Sequence, residues 1–289
     1  MSLYRNELYL NDIAETAALP LPWENLRGRA VLLSGATGLI GSFLTDVLMH
    51  RNREGLGCTI YALSRSEAKA RARFSGWQGD PLLRFVPSDV TVPLAADGFG
   101  TIDYVLHLAS NTHPLQYAND PVGTILTNVT GLKNMLDFAA DHGAVRFVFA
   151  SSNEVYGENR GDTEFFDERY CGYIDPNTLR AGYPESKRCG EALCQAYLAR
   201  NGLDVVIPRF TRTYGPTMLP TDSKAVSQFI LRGVAGQDIV LKSAGTQYYS
   251  YTYAADAVSG LLTVLLTGET GQEPVSAAPM RYQERTNPS

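Results

Sequence analysis

The sequence predicts an α/β protein built on a doubly wound parallel sheet, and three observations support this fold class. Short apolar segments alternate with longer segments of helical apolar spacing through most of the 289 residues. A glycine-rich turn joins the first predicted strand to the first predicted helix of this alternation. Polar residues follow several of the later strands. Alternating strands and helices imply parallel crossovers, with helices covering both faces of the sheet.

The individual elements follow from local apolar patterns. Helices are predicted for Leu39–His50 and Val122–His142, where apolar residues recur on one helical face. Strands of the main sheet are predicted for Arg29–Ser34, Thr59–Leu63, Arg84–Pro87, Tyr104–Leu108, Arg146–Ala150 and Asp204–Pro208. Further along the chain, the pattern predicts helices at Ser223–Ala235 and Ala254–Leu266 and strands at Asp238–Leu241 and Tyr248–Tyr253.

Composition excludes several classes of protein. The net charge of −5 argues against nucleic-acid binding, which needs a basic face. No apolar run has transmembrane length and no signal peptide is recognisable, so we expect a cytoplasmic protein without a membrane partner. The cysteines lack CxxC spacing and a neighbouring histidine, which predicts free thiols and no bound metal. They are Cys58, Cys171, Cys189 and Cys194.

The turn after the first strand has the chemistry of a dinucleotide phosphate site. Gly35 permits a tight turn, Gly38 permits close approach of the backbone to a pyrophosphate, and Gly41 permits the helix to pack close to the sheet. The N-terminus of the helix offers unpaired N–H groups and a positive dipole end. The cofactor-binding residues predicted in this turn are Gly35, Thr37, Gly38, Leu39, Ile40 and Gly41.

The choice between NAD and NADP stays open at this point. The stretch from the second strand to Arg65 lacks the acidic residue that bonds an NAD ribose, and Arg65 suits the 2′-phosphate of NADP. Asp89 is predicted either to accept from the adenine amino group or to cap a turn. Asn128 is predicted to bond the backbone near the site. Further cofactor candidates are Val90, Leu108, Ala109, Ser110 and Pro208.

Two segments carry the candidate reacting groups. Tyr183 and Lys187 are four residues apart, which places them on one face of a helix. A nearby ammonium lowers the pKa of a phenol, so that Tyr183 can exchange a hydroxyl proton while hydride moves to or from a nicotinamide ring. Ser152 follows the fifth strand and is predicted to bond the reacting hydroxyl, and Glu154 is a candidate second acid or base. We also expect Tyr183 and Lys187 to contact the cofactor.

These motifs together resemble the NAD-dependent epimerase/dehydratase family, the extended short-chain dehydrogenases. The matching stretches are GATGLIG at 35–41, HLAS at 107–110, NVTGLKNML at 128–136, ASSNEVYG at 150–157, YPESK at 183–187 and RTYGP at 212–216. The resemblance implies a Rossmann-type fold, a tightly bound NAD or NADP, and a catalytic trio of Ser152, Tyr183 and Lys187. It also implies a nucleotide-sugar substrate and a homodimer.

The resemblance implies a division of the chain into an arm, a dinucleotide-binding domain and a smaller lobe. Residues 1–28 form the arm, and residues 29–210 form the Rossmann domain, against which helix 254–266 packs back. Residues 211–253 and 267–289 form a small C-terminal substrate-binding lobe, which we expect to be truncated or altered relative to the family. Its departures include Arg212 and Tyr249 at positions where many relatives have Asn and Arg. Substrate-binding candidates are Thr112, Asn153, Arg212 and Tyr249.

Family members begin by oxidising the sugar at C4 to a 4-keto intermediate, after which their reactions differ. We rank 4-epimerisation first and UDP-glucuronate decarboxylation or sugar-nucleotide 4,6-dehydration as the alternatives. Asn153 disfavours the thymidine-sugar dehydratases because an amide cannot supply the proton that the leaving C6 hydroxyl needs. An NADP-dependent carbonyl reductase and a non-catalytic, cofactor-binding relative are the remaining alternatives.

The Arg212→Ala substitution tests the predicted pyrophosphate contact. Arginine suits bidentate phosphate binding, so its loss should weaken nucleotide-sugar binding about tenfold or more and leave cofactor binding nearly unchanged. Titration calorimetry with each ligand measures both affinities. An equal loss of the two would refute this role for Arg212.

Overall fold

The central sheet has six parallel strands. The computed structural model describes residues 3–95, 97–112, 118–219, 221–241, 249–270 and 280–281. The strands are β1 (Ala30–Ser34), β2 (Thr59–Ser64), β3 (Leu83–Pro87), β4 (Tyr104–His107), β5 (Arg146–Phe149) and β8 (Val205–Val206). Their order is β3-β2-β1-β4-β5-β8, and every pairing is parallel. The predicted doubly wound fold is therefore confirmed.

The remaining strands form two-stranded pairs outside this sheet. Strand β6 (Ser151–Ser152) pairs in parallel with β9 (Arg209–Phe210), and β10 (Arg212–Tyr214) pairs in parallel with β11 (Tyr251–Tyr253). Strands β7 (Phe165–Phe166) and β12 (Met280–Arg281) pair antiparallel. The pairs β6–β9 and β10–β11 lie past the carboxyl ends of the central strands.

Helices cover both faces of the sheet. They are α1 (Glu7–Ala17), α2 (Leu39–Arg53), α3 (Glu67–Arg73), α4 (Pro121–Asp141), α5 (Gly182–Asn201), α6 (Ala225–Val234) and α7 (Ala254–Thr267). Alternate side chains of β1 enter opposite cores, because strand side chains alternate between faces. Val31 and Leu33 join the cluster that contains α1, α2 and α7, whereas Leu32 joins the cluster of α4 and α5. No helix in the described part of the chain is long and apolar enough to cross a membrane.

The structure corrects the sequence prediction in the C-terminal third. The strand predicted at Asp238–Leu241 is wrong, since these residues have no regular secondary structure. Ile239, Val240 and Leu241 are 48%, 64% and 60% exposed, so the apolar run does not lie in a core. The helix predicted at Ser223–Ala235 is α6, and Tyr248, in the last predicted strand, lies outside the described residues.

The N-terminal arm packs into the core through α1. Tyr9, Ile13 and Ala17 are buried in the cluster that also holds α2 and α7. The buried carboxylate of Asp46 in α2 ties the arm down by accepting hydrogen bonds from four side chains. These are the hydroxyls of Tyr4 (2.8 Å) and Tyr9, the guanidinium of Arg73 (2.7 Å) and the indole N–H of Trp77 (2.6 Å).

Substitution of Asp46 tests this cluster. Asp46→Asn leaves the buried guanidinium of Arg73 without its anion, so we expect the free energy of unfolding to fall by about 3 kcal/mol or more. Tyr4→Phe removes one neutral donor and should cost about 1 kcal/mol. Urea unfolding of both variants measures the difference. A cost for Asp46→Asn no larger than that of Tyr4→Phe would contradict the assignment of Asp46 as the electrostatic anchor of the arm.

Candidate active site

A cavity of about 220 Å³ opens at the carboxyl ends of β1, β4 and β5. This is the edge where the strand order reverses, between β1 and β4, and open α/β sheets bind ligands there. The sequence-predicted residues that line it are Gly35, Gly38, Leu39, Ile40, Gly41, Leu108, Ser110, Thr112, Ser152, Asn153, Glu154, Tyr183, Lys187 and Arg212. Residues proposed for cofactor, catalysis and substrate therefore share one space.

The glycine turn leaves no room for larger side chains. Gly35 has φ of +72°, and a Cβ there would lie 2.7 Å from the backbone nitrogen of Ala109. A Cβ at Gly41 would collide with the carbonyl oxygen of Gly35. Gly38 is the N-cap of α2 and provides no side-chain cap, so first-turn N–H groups remain for a ligand at the cavity wall. These features fit the pyrophosphate of a dinucleotide.

Eight of the predicted site residues do not line the cavity. They are Thr37, Arg65, Asp89, Val90, Ala109, Asn128, Pro208 and Tyr249. Arg65 and Asp89 are exposed beyond β2 and β3. Asp89 Oδ1 accepts from the backbone N–H (2.9 Å) and the hydroxyl (2.8 Å) of Thr91. These hydrogen bonds lower the pKa of Asp89, with a smaller contribution from Arg65. Asp89 therefore caps a turn, which is one of its two predicted roles.

Asn128 links the end of β4 to the first turn of α5. Its side-chain oxygen accepts from Ser110 Oγ (2.7 Å), and its Nδ2 donates to Ser186 Oγ (2.8 Å). Ser186 Oγ in turn donates to the carbonyl oxygen of Tyr183 (2.8 Å). The prediction that Asn128 bonds the backbone is therefore wrong, because two serine hydroxyls satisfy the buried amide. The chain of bonds holds the Tyr183 turn in position.

Lys187 is buried beside Tyr183. Its Nζ donates to the carbonyl oxygen of Ala150 (2.7 Å) and lies 5.9 Å from the ring centroid of Tyr183. Burial lowers the pKa of Lys187 to about 7, and the opposing effects of Cys194 and Glu191 are smaller. Its positive charge, which the sequence analysis uses to acidify Tyr183, is therefore lost progressively as the pH rises through about 7.

Ser152 stands at the head of a short 3₁₀ turn. Its Oγ accepts from the backbone N–H of Glu154 (3.2 Å) and lies 3.5 Å from Asn153 Oδ1. The turn directs Asn153 and Glu154 to the cavity wall, where Tyr183 also lies. Among the described residues, no group of three or more His, Cys, Asp or Glu side chains is arranged to hold a metal ion.

Comparison with known proteins gives the family. A sequence model of the NAD dependent epimerase/dehydratase family matches residues 31–277. The chain belongs to this family. The resemblance found in the motifs is thus confirmed, and of the two nicotinamide cofactors left open, the family's cofactor is NAD.

Several curated relatives are identical to the chain at about a third of the aligned residues. UDP-glucuronic acid decarboxylase 3 of Arabidopsis thaliana is 34% identical over 83% of this chain and 67% of that protein. UDP-glucuronic acid decarboxylase 1 of Xenopus tropicalis is 32% identical over 82% of this chain and 53% of that protein. The chain thus spans between about half and two thirds of the length of these relatives.

Solved structures of the family share the fold. The dTDP-glucose 4,6-dehydratase DesIV from Streptomyces venezuelae, with NAD bound, has a TM-score of 0.75 and 28% identity, covering 87% of this chain and 77% of that chain. UDP-glucuronic acid 4-epimerase from Bacillus cereus, in complex with UDP-glucuronic acid and NAD, has a TM-score of 0.68 and 20% identity, covering 88% and 80%. The second similarity concerns the fold alone.

A buried ion pair that sequence reasoning missed supports the segment carrying Ser152. Glu191 accepts from Ser151 Oγ (2.5 Å) and pairs through both carboxylate oxygens with Arg209, at 2.9 and 2.7 Å. The carbonyl oxygen of Pro208 accepts from the N–H of Ser151 (2.9 Å), so Pro208 holds the strand rather than lining the cavity. The available signal was the spacing, since Glu191 lies four residues after Lys187 on α5.

The cavity wall also carries basic residues. Arg212 was predicted from sequence, and its guanidinium carbon lies 3.4 Å from the ring centroid of Tyr249. Arg180 and Lys224 were missed, because no motif marked them. Lys224 pairs with the buried Asp222 (3.1 Å), and Arg180 contacts Glu154 (3.3 Å). Glu154 is the one acidic residue among the described residues of this wall. The wall is therefore suited to an anionic ligand.

The lowered pKa of Lys187 predicts a dependence of stability on pH. Between about pH 7 and the unfolded lysine pKa of about 10.4, the unfolded chain binds more protons at this residue than the folded chain, so folding becomes more favourable as pH rises. Relative to Lys187→Met, which cannot titrate, the wild-type free energy of unfolding should rise by up to about 1.4 kcal/mol per pH unit. Urea unfolding of both proteins from about pH 7 to 10 measures this rise. If the difference in free energy of unfolding between wild type and variant did not change with pH, the pKa of Lys187 would not be lowered in the folded protein.

Proposed function

We propose that this protein is an NAD-dependent enzyme that oxidises UDP-glucuronate at C4 and decarboxylates it. The supporting observation is the single cavity in which the glycine turn, Ser152, Tyr183, Lys187 and Glu154 meet. The UDP-glucuronic acid decarboxylases among its relatives favour this reaction over the 4-epimerisation that the sequence analysis ranks first. Epimerisation and the homodimer stay predictions.

The reaction divides between the cofactor and residues of the chain. The turn from Gly35 to Gly41 would hold NAD, which would supply the hydride acceptor for oxidation at C4 and the hydride for the later reduction. Tyr183 takes the proton of the C4 hydroxyl during oxidation and gives it back during reduction. Ser152 donates a hydrogen bond to the C4 oxygen, and buried Lys187 holds the strand end at Ala150 against α5.

Loss of carbon dioxide follows from the chemistry of the 4-keto uronate. The C5–C6 bond breaks, its electron pair passes into the C4–C5 enolate, and the carboxylate leaves as carbon dioxide. A proton from solvent then adds to C5, and we propose that the carboxylate of Glu154 on the same wall relays it. Overall the sugar gains one proton and loses one carboxylate, so the product is the corresponding UDP-pentose. The hydride removed from C4 during oxidation is returned during reduction, so the reaction has no net oxidation or reduction of the cofactor.

Mass spectrometry of the products tests the proposal. The protein is incubated with NAD and, separately, with UDP-glucuronate and a panel of UDP-, dTDP-, GDP- and CDP-sugars. We expect loss of carbon dioxide from UDP-glucuronate. Unchanged mass with altered retention would show an epimerase, and loss of water a dehydratase. Net consumption of reduced NADP by a carbonyl substrate would show a reductase, and absence of any turnover a non-catalytic relative.

Tyr183→Phe is the matched control, because it keeps the ring and removes the proton-transfer group. Turnover should fall by about 10²–10⁴-fold, the usual contribution of a positioned acid or base, with binding of NAD nearly unchanged. A variant that keeps wild-type turnover would exclude Tyr183 from proton transfer, whatever product is formed.

A further inference from the structure

We propose that Arg180 is a specificity-determining residue that selects sugars bearing a carboxylate at C6, by contacting the substrate carboxylate in addition to Glu154. This inference rests on the proposed function, since it concerns the acidic group that the reaction removes. Arg180 would bind the C6 carboxylate, which is a different role from binding the diphosphate.

Arg180 lies close to both segments that carry reacting residues, the one with Tyr183 and the one with Ser152. It lies three residues before Tyr183, in the 3₁₀ turn that leads into α5. Its partner Glu154 lies two residues after Ser152, in the turn that follows β6. The contact between Arg180 Nη2 and Glu154 Oε1 therefore bridges the two walls of the cavity next to the reacting groups, at 3.3 Å. A group held there lies beside the reacting end of a bound sugar.

The pairing of Arg180 is weaker than that of the other cations on the cavity wall. Its side chain is 63% exposed, and exposed ion pairs contribute little to stability. By contrast, Lys224 pairs with Asp222, whose side chain is 3% exposed, and Arg212 stacks on Tyr249. Lys224 and Arg212 also come from the part of the chain after β9, whereas Arg180 lies in the turn that leads into α5. They suit the diphosphate, which leaves Arg180 for the sugar end.

Electrostatics explains why a uronate needs this arginine. A C6 carboxylate placed beside Glu154 meets a like charge, which disfavours binding. A guanidinium between them compensates both charges, and its planar fork matches a carboxylate bidentately. The 3.3 Å contact engages one of five N–H donors, so the others suffice for a second carboxylate. A neutral hexose has no carboxylate for Arg180 to bind, and this difference in binding is the proposed selectivity.

Calorimetric binding to the NAD-loaded protein tests the inference. The ligands are UDP-glucuronate and UDP-glucose, which differ at C6 in having a carboxylate or a hydroxymethyl group. Arg180→Ala should weaken UDP-glucuronate binding by about 10–100-fold, the range of a charge-assisted hydrogen bond, and change UDP-glucose binding less than about threefold. Arg180→Lys should restore part of the affinity, because it keeps the charge without the fork. Arg200→Ala, an exposed arginine at the far end of α5, is the matched control and should change neither affinity.

The outcomes separate this inference from the proposed function. Equal weakening of both ligands in Arg180→Ala, or equal wild-type affinity for both, would overturn the selectivity role of Arg180. If the wild type decarboxylates UDP-glucuronate but Arg180→Ala keeps its preference, the function stands and the inference fails. If the wild type prefers UDP-glucuronate through Arg180 yet releases no carbon dioxide, carboxylate recognition stands and the proposed reaction fails.

Discussion

The hydrogen bond from Lys187 Nζ to the carbonyl oxygen of Ala150, 2.7 Å long and buried, is the interaction on which the candidate site depends. It fastens α5, which carries Tyr183, to the point where β5 passes into the segment that carries Ser152. The Glu191–Arg209 pair makes a second connection one turn further along α5. Because removal of one partner leaves a buried polar group unsatisfied, both connections resist displacement of α5 from the sheet. The relative position of Ser152 and Tyr183 follows from them.

The charges around the cavity have a division that matches an anionic nucleotide sugar. The helix N-terminus at Gly38 is assigned to the dinucleotide, and Arg212 and Lys224 extend into the wall from the part of the chain after β9. Arg180 approaches from the α5 side, where the reacting residues lie. Cations in two places suit the proposed substrate, which carries negative charge on a diphosphate and on a carboxylate. The same division explains why one acidic residue, Glu154, is tolerated in the wall, since Arg180 contacts it.

Much of the site was accessible from sequence because its residues lie in compact motifs. Gly35, Ser152, Tyr183 and Lys187 each occur in a short pattern whose chemistry is readable without a structure. Glu191 and Arg180 were missed because their importance comes from partners that are distant in sequence. Asn128 was recognised but given the wrong partners, since the hydroxyls of Ser110, after β4, and of Ser186, in α5, meet only when those segments are packed together.

The sequence by itself determined the alternation of strands and helices, the glycine turn and the family. Local apolar periodicity and backbone sterics act over a few residues, so they are present in the order of amino acids. Only the tertiary structure decided that Lys187 loses its charge near neutral pH, that the N-terminal arm is anchored by Asp46, and that Arg180 stands beside Glu154. Burial and ion pairing depend on which distant segments exclude water together, and a one-dimensional pattern does not contain that information.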